Sequence, residues 1–286
     1  MSLNQDKKNI AIVVNPLAGS GRGVELAKKI ISLLLPHGLT PRLFIDNWPA
    51  HFNGFTDIWI VGGDGTLHYF INHYPDIQLP LVIFPGGSGN DFHWMLYGNK
   101  SLEELIEIAL TANPRKIDAG RCNGRLFLNG TGVGFEGVVA KSLTGKNKKK
   151  GKASFFTEVI KKIITYREQS FQISNEQVNL RGKYLIISIM NGHRAGGGFH
   201  IAPKASISDG LLEVTIIDPL SIVKRLRYLP VIEKGKHLEL PFVHYFKSSC
   251  LKIRSDQDMD AHLDGEYFSS NYVEIETLPG KFFFRY

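Results

Sequence analysis

The sequence predicts an α/β protein of two domains, with a doubly wound N-terminal domain over residues 1–117 and a C-terminal β-sandwich over residues 118–286. In the first third of the chain, short apolar segments alternate with segments of helical periodicity. Beyond residue 118, strand-like segments predominate. A chain of 286 residues that is 43% hydrophobic can bury a core in each domain. We expect a cleft between the two.

The predicted elements of the first domain follow one another in the order of a doubly wound fold. They are strands at 10–14, 41–45, 58–61 and 81–84, and helices at about 22–35 and 102–110. Ser101 with Glu104 three residues later predicts a capping box at the start of the second of these helices. In the second domain the predicted strands cover 184–190, 211–217, 251–254 and 272–276, and apolar spacing predicts a helix over about 155–164.

A glycine-rich turn follows the predicted strand at 58–61. Residues 61–66 read Val-Gly-Gly-Asp-Gly-Thr. Three glycines in four residues remove the Cβ atoms that would keep the backbone away from a phosphate, and the turn adds a carboxylate and a hydroxyl. An ordinary tight turn is the alternative interpretation. The residues predicted to bind a nucleotide here are Gly62, Gly63, Asp64, Gly65 and Thr66.

A second glycine turn, at residues 85–92, follows the next predicted strand and reads Pro-Gly-Gly-Ser-Gly-Asn-Asp-Phe. The end of the first strand, with Asn15, supplies a third loop. Loops that follow neighbouring strands meet at the carboxyl edge of the sheet, where open α/β folds bind ligands. Neither the P-loop spacing nor G-x-G-x-x-G occurs at these turns. The further predicted nucleotide contacts are Asn15, Gly87, Ser88, Asn90 and Asp91.

Taken in order, Val-Asn-Pro at 14–16, Gly-Gly-Asp-Gly-Thr at 62–66 and the turn at 85–92 resemble the catalytic domain of the diacylglycerol kinase family. That family includes bacterial soluble lipid kinases and the sphingosine and ceramide kinases. The resemblance continues through 196–203, 208–214 and 263–266, and so covers nearly the whole chain. NAD kinases and phosphofructokinases share only the Gly-Gly-Asp-Gly piece. The resemblance implies the same two domains, with a chain end able to fold back on the first.

The resemblance also implies a reaction, in which the γ-phosphoryl of ATP moves to a lipid hydroxyl with Mg²⁺ as the metal and diacylglycerol as the first candidate acceptor. Two carboxylates stand in glycine turns of the second domain, and each alone reads as an ordinary turn residue. In similar bacterial lipid kinases the Glu of Asp-Gly-Glu is the proposed proton acceptor, which falls on Glu266. The Asp of Ser-Asp-Gly-Leu, here Asp209, is implied to hold the metal with the backbone carbonyls of Ser206 and Leu211. In the sphingosine-kinase branch the base is the Asp that falls on Asp64, and the motifs leave this choice open.

Two other functions stay open at this point. The acceptor could be a sphingoid base or another lipid alcohol. The chain could instead be a nucleotide-binding regulator that has lost catalysis, although such a protein would have no chemical need for Asp64, Asp209 and Glu266 together.

Basic residues cluster in one segment. From Lys141 to Arg167 the chain carries nine Lys or Arg against Glu158 alone, a balance of +8 where the whole chain has +7. Such a segment is attracted to anionic lipid headgroups, although a solvated loop is the alternative. A partnership with nucleic acid is not expected, because the charge is confined to one loop and no nucleic-acid-binding motif accompanies it. The lysines predicted to contact an anionic membrane are Lys146, Lys148, Lys149, Lys150 and Lys152.

No apolar run approaches the roughly 20 residues that span a bilayer, and the N-terminal residues are too polar for a signal peptide. We therefore expect a cytoplasmic protein that is peripheral at the membrane through its lysines. A homodimer is compatible with the sequence, which does not fix the oligomeric state.

Overall fold

The computed structural model describes residues 8–144 and 151–286, which fold as two compact units. The first unit contains the chain up to Ile117 together with Phe282–Tyr286, and the second is Asp118–Lys281. The C-terminal residues thus belong to the N-terminal unit.

Strands and helices alternate in the first unit. They are β1 (Ile10–Val14), α1 (Arg22–Leu34), β2 (Arg42–Ile45), β3 (Asp57–Gly62), α2 (Asp64–His73), β4 (Leu81–Pro85), α3 (Asp91–Tyr97) and α4 (Leu102–Thr111).

A parallel sheet of order β4-β3-β1-β2 forms the centre of this unit, and Phe284 near the chain end pairs in parallel with β4. Every residue of β1 and β3 is buried. Parallel strands that are covered on both faces require such continuous apolar sequence. Helix α1 buries Ala27, Ile30 and Leu34 and contacts β1 and β3. This is the doubly wound domain that the sequence predicts.

Helix α4 begins at the predicted capping box. Ser101 accepts the N–H of Glu104, and the Glu104 carboxylate accepts the N–H of Ser101 in return. Helices α2 and α3 are absent from the sequence prediction. Both are short, and α2 buries Thr66 and His68 beside its apolar residues, so the amphipathic pattern is weak.

Over its described residues, the second unit is rich in strands and carries three helices; its first strand begins, and its last strand ends, at residues of the first unit. Its elements are β5 (Pro114–Cys122), β6 (Arg125–Phe127), β7 (Gly130–Gly134), α5 (Phe135–Leu143), α6 (Gly151–Thr165), β8 (Ser170–Ser174), β9 (Asn179–Lys183), β10 (Ile186–Met190), β11 (Leu212–Ile217), α7 (Ile222–Glu233), β12 (Val243–Ser248), β13 (Cys250–Leu263) and β14 (Glu266–Arg285).

Antiparallel pairing in the order β12-β11-β10-β7-β13-β14 builds the main sheet of this unit. One apolar cluster packs among the strands and includes Val133, Ile187 and Ile253; a second packs α5, α6 and α7 onto β10. The structure confirms the sandwich-like second domain.

Strands β13 and β14 are longer than the sequence predicts. Residues 251–254 and 272–276 are parts of one hairpin whose strands have 14 and 20 residues. The polar run at 255–258 interrupts the apolar alternation, and the pairing register shifts there between Arg254 and Met259. The hairpin is therefore continuous although its sequence pattern is not.

An ion pair ties the chain end to the first unit. Arg285 donates through Nε to Asp57, which is fully buried at the start of β3, and through Nη1 to the carbonyl of Ala112 at 2.6 Å. A buried carboxylate without a counter-charge is strongly destabilising. Arg285 therefore contributes to the stability of the sheet.

We expect Arg285→Met to lower the free energy of unfolding by about 3 kcal/mol, because the buried carboxylate of Asp57 loses its ion-pair partner. Denaturant unfolding measures this loss. Lys252→Met, which removes an exposed pair with Glu274, is the control and should change little. The double variant Asp57→Leu/Arg285→Met should be more stable than Arg285→Met alone. Equal losses for Arg285→Met and the control would contradict the role of the pair.

Candidate active site

Three loops meet at the carboxyl edge of the parallel sheet in the first unit. Gly62 and Pro85 are paired at the ends of β3 and β4, so the two glycine turns begin side by side. The N–H of Gly86 donates to the carbonyl of Gly62 at 2.9 Å. Gly19, in the loop after β1, lies so close to the Gly86 carbonyl that a Cβ would collide with it. The structure thus brings together the loops that the sequence selects.

Each of the two glycine turns needs glycine because the backbone of the other turn packs against it. A Cβ on Gly63 would lie 2.8 Å from the Cα of Gly87, and a Cβ on Gly87 would lie 2.5 Å from the Cα of Gly63. At Gly63 and Gly87 the absence of a Cβ is needed for the contact between the two turns, and contact of these residues with a phosphate stays a prediction. The missing Cβ atoms let one turn pack directly against the other.

Asp64 joins the two turns. It is the first residue of α2, and its two carboxylate oxygens accept the backbone N–H groups of Asp91 (3.1 Å) and Phe92 (3.0 Å) at the start of α3. A negative charge at a helix N-terminus is stabilising, because the first N–H groups lack partners within the helix. The carboxylate of Asp64 therefore holds α3 in place.

Asn90 shapes the second turn and occupies the left-handed region, with φ +54°. Its Oδ1 accepts the N–H of Gly87 at 2.9 Å and its Nδ2 donates to the carbonyl of the same residue at 3.0 Å. Asn is one of the few residues apart from glycine that tolerates this conformation. The side chain of Asn90 thus closes the turn on itself.

The other predicted nucleotide contacts lie on the same three loops. Asn15 accepts the N–H of Leu17 at 2.9 Å, and its Nδ2 is 3.4 Å from the hydroxyl of Thr66. Gly65 lies in the first turn of α2, Asp91 is buried at the start of α3, and Ser88 is exposed at the tip of the second turn.

In the second unit, Glu266 follows a two-residue hairpin turn between β13 and β14. Asp264 (φ +47°) and Gly265 (φ +88°) both have positive φ, as the favoured Asp-Gly hairpin turn requires. Glu266 is the first residue of β14, pairs with Leu263 and is partly buried. The turn fixes the backbone from which the Glu266 carboxylate extends.

Sequence reasoning missed the part played by Asp264. Its carboxylate accepts three backbone N–H groups, those of Leu128 (3.0 Å), Asn129 (2.9 Å) and Gly130 (2.9 Å). The turn is thereby anchored to the start of β7. The signal in the sequence was the Asp-Gly-Glu motif itself, in which only the Glu had been given a role.

His262 supports the same turn from the other side. Its Nδ1 accepts the N–H of Gly265 at 3.2 Å, which requires the proton of the neutral ring to be on Nε2. Nε2 is 3.5 Å from the carboxylate of Glu136. The sequence gave no role to this histidine, whereas the structure orients its ring between Gly265 and Glu136.

Asp209 lies on the surface of the second unit. Its carboxylate accepts the N–H of Leu211 at 3.1 Å and the Nζ of Lys247 at 2.8 Å. Lys247 also lies 3.1 Å from Glu213, which is buried. A hydrogen bond to Asp209 raises the pKa of Lys247 most, and a hydrogen bond to Glu213 adds to this effect. The ammonium group of Lys247 is therefore a fixed positive charge between two carboxylates.

A buried carboxylate that the sequence analysis did not select, Asp118, holds the backbone beside Asp209. It accepts the N–H groups of Gly210 and Gly280, both at 2.7 Å. The side chain of Asn191 donates to the carbonyls of Asp118 (3.1 Å) and Leu128 (2.8 Å). Hydrogen bonds thus connect the loop of Asp209 to the segment that Asp264 anchors. An acid between apolar residues in a strand was the available signal.

The predicted metal and membrane contacts belong to several segments of the second unit. Over residues 8–144 and 151–286, no group of three or more His, Cys, Asp or Glu side chains is arranged to hold a metal. Ser206 accepts the N–H of Ser208 through its hydroxyl at 3.4 Å. The predicted membrane contacts Lys146, Lys148, Lys149 and Lys150 lie outside the described residues, and Lys152 falls in the first turn of α6.

None of the helices in the described part of the chain is both long enough and apolar enough to cross a membrane.

Together, these features define a class of protein: an α/β unit with paired glycine turns at its sheet edge, and a β-sandwich-like unit that carries an Asp-Gly-Glu hairpin. Residues 9–122 match the family model described as the diacylglycerol kinase catalytic domain. Residues 130–283 match the model described as the YegS C-terminal NAD kinase beta sandwich-like domain. The chain belongs to the diacylglycerol kinase catalytic-domain family.

Individual relatives agree with this assignment. The chain is 31% identical to the "Probable lipid kinase YegS-like" of Pseudomonas savastanoi pv. phaseolicola, over 77% of this chain and 72% of the relative. It is 25% identical to the "Diacylglycerol kinase" of Mycobacterium tuberculosis (strain H37Rv), over 94% of this chain and 92% of the relative. A crystal structure of a diacylglycerol kinase from Bacillus anthracis shares the fold, with a TM-score of 0.74, 20% identity, and coverage of 99% of this chain and 98% of that chain.

We expect Gly87→Ala to destabilise the protein by about 1–3 kcal/mol, because its Cβ would overlap the backbone of Gly63. Thermal and denaturant unfolding measure the loss. Gly23→Ala is the matched control: its Cβ would meet the nearest atoms at 3.4 Å or more, in ordinary contact, within helix α1. The control should be neutral or slightly stabilising, since alanine is the better helix former. Equal stability of Gly87→Ala and the parent would show that the turns can separate without cost.

Proposed function

We propose that this protein is an ATP-dependent lipid kinase that transfers the γ-phosphoryl group of ATP to a lipid hydroxyl, with diacylglycerol as the first candidate acceptor. The observation that carries the proposal is the Asp-Gly-Glu hairpin, in which Asp264 and His262 fix the backbone that presents Glu266. Membership of a lipid kinase family and the names of the relatives support the same reaction.

The first unit would bind the nucleotide. Phosphoryl transfer depends chiefly on positioning the phosphates and neutralising their charge. Backbone N–H groups in the first turn of α2 would contact phosphate oxygens, together with the hydroxyls of Thr66 and Ser88 and the amide of Asn15. The packing of the two glycine turns against each other makes this region rigid, which limits the entropy lost on binding.

Glu266 is proposed as the base that takes the proton of the acceptor hydroxyl. The rival, Asp64, uses both of its oxygens to accept the N–H groups at the start of α3. To act as a base it would have to weaken this anchor at each turnover. These hydrogen bonds support a structural role for Asp64, and they therefore favour Glu266 as the base.

Mg²⁺, when bound, supplies positive charge that stabilises the phosphates during transfer. Asp209 and the carbonyls of Ser206 and Leu211 are oxygen donors of the kind that Mg²⁺ prefers, and Asp209 is accessible at the surface. The donor types therefore fit the ion. Lys247 shares the Asp209 carboxylate, so the metal and this ammonium group would compete for it.

Transfer of labelled γ-phosphate from ATP to a panel of lipid alcohols in mixed micelles tests the function. We expect diacylglycerol to be labelled by the parent protein, and Glu266→Gln to slow transfer by about 10²–10⁴-fold, because the amide cannot take the proton of the acceptor. Asp64→Asn should also lower the free energy of unfolding, by about 1–3 kcal/mol, since its NH₂ group cannot accept the N–H bonds of α3.

The control for that experiment is Glu274→Gln, which alters an exposed glutamate on the same strand as Glu266 and should leave transfer unchanged. Full activity of a folded Glu266→Gln protein would rule out the proposed base. If a sphingoid base or another alcohol is labelled in place of diacylglycerol, that compound is the acceptor. Binding of ATP without transfer to any lipid would instead indicate a nucleotide-binding regulator.

For the metal, we expect Lys247→Met to increase the thermal stabilisation that Mg²⁺ provides, because the ion no longer competes with an ammonium group for Asp209. The melting temperature is measured with Mg²⁺ and with EDTA in the absence of ATP. Lys252→Met is the control at another exposed ion pair. A response to Mg²⁺ that is the same in all three proteins would exclude a metal at Asp209.

A further inference from the structure

The exposed large apolar side chains of the second unit are concentrated on two helices. Among the residues that the structure describes in this unit, every exposed large hydrophobic side chain lies on α6 or α7, and Val223 is the most exposed, at 75%. Isolated exposed apolar residues are common, but a concentration on adjacent elements indicates an interaction site. These residues are Phe156, Ile164, Ile222, Val223 and Leu226.

Contacts of the buried Arg225 place the two helices side by side. Its guanidinium donates to the carbonyls of Ile163 (2.9 Å) and Tyr166 (3.0 Å) at the end of α6, and also binds Glu168. Arg225 is in the first turns of α7, so Ile164 on α6 and Leu226 on α7 each adjoin a residue of this contact. The two helices are therefore in contact, and each carries an exposed apolar residue next to this contact in the sequence.

The inner faces of both helices are already occupied. Val159 and Ile163 of α6 and Ile232 of α7 are buried in the apolar cluster that covers β10, with Leu229 packed against it. The outward-facing residues therefore do not serve the core of this unit.

The exposed charged residues near the contact of α6 with α7 are basic, and the exposed acid of α7, Glu233, is the last residue of that helix. Glu158 is buried, and Glu168 is bound to Arg225, so neither acid in the segments 156–168 and 222–227 is exposed. The exposed charged residues of the two segments are Lys161, Arg167, Lys224 and Arg227. Apolar side chains flanked by basic ones on a helix surface are typical of helices that lie in the headgroup region of a membrane.

We propose that this α6–α7 surface, the five apolar and four basic residues named above, docks the protein on an anionic lipid bilayer. A second copy of the chain fits it less well. A two-fold interface would place the same four basic residues of both copies close together, and the cores of interfaces between proteins are poor in charge. An anionic bilayer satisfies the apolar and the basic residues at once.

The inference rests on the proposed function only in that a kinase for lipids must reach a substrate held in a bilayer. Its test is a binding experiment without ATP, so the two can fail separately. Binding of the parent is measured by sedimentation with vesicles of phosphatidylcholine alone and with added phosphatidylglycerol, at low and high salt. We expect binding to the anionic vesicles that weakens as salt increases.

Two double variants separate the contributions. Lys224→Ser/Arg227→Ser should bind anionic vesicles about 30-fold more weakly, since each basic residue near such a surface is worth about a fivefold gain in affinity. Val223→Ser/Leu226→Ser should bind anionic vesicles at least about tenfold more weakly than the parent, because apolar area that the bilayer would bury is lost. Leu35→Ser, an exposed leucine of the first unit, is the control and should bind as the parent does.

Unchanged melting temperatures and unchanged phosphate transfer to a short-chain acceptor below its micelle concentration show that the variants are folded and active. The proposal is overturned if the parent does not bind anionic vesicles, or if both double variants bind as well as the parent. It is also overturned if light scattering shows a dimer that Val223→Ser/Leu226→Ser dissociates while vesicle binding is unaffected. Vesicle binding that follows the variants, with no lipid phosphorylated, would support the docking surface and refute the kinase function.

Discussion

The backbone of Gly62 and Gly63 packs directly against that of Gly86 and Gly87, and the geometry of the first unit's site depends on this contact. It brings the ends of β3 and β4 closer than any side chain would permit. Helices α2 and α3 start immediately after the two turns, so their N-terminal N–H groups are set by the same contact. Asp64 then fixes the second helix to the first. A rigid pair of loops of this kind can hold phosphate groups in one position.

In the second unit, carboxylates hold the glycine turns in place. Asp264 accepts three backbone N–H groups and Asp118 accepts two, and in each case the acid holds a glycine turn whose neighbouring residue carries the proposed chemistry. A hydrogen bond to a charged acceptor is stronger than one between neutral groups. Glu266 and Asp209 therefore extend from backbone that other acids immobilise. The residues that position the backbone, Asp264 and Asp118, are therefore different from the residues proposed to carry out the chemistry, Glu266 and Asp209.

The surface of this unit carries fixed charges and exposed apolar side chains. Lys247 holds a positive charge between Asp209 and Glu213, while the segments 156–168 and 222–227 combine exposed basic and apolar residues. A protein whose substrate is a lipid needs both a centre for the chemistry and a means of approaching the bilayer. The helices that cover β10 are proposed to supply the second, and the Asp-Gly-Glu hairpin is proposed to supply the first.

The sequence by itself determined the strands of the first unit, the capping box at Ser101, the two glycine turns and the family, because each of these is recorded in residues that are close together along the chain. Only the tertiary structure decided what the functional residues touch. Asp64 binds N–H groups 27 and 28 positions away, and Asp264 binds groups 134 to 136 positions away. Local periodicity carries no information about such distant partners. The same reason applies to Gly63 and Gly87. The absence of a Cβ in the sequence indicates that another group lies close to the backbone, and only the fold shows that this group is the other turn.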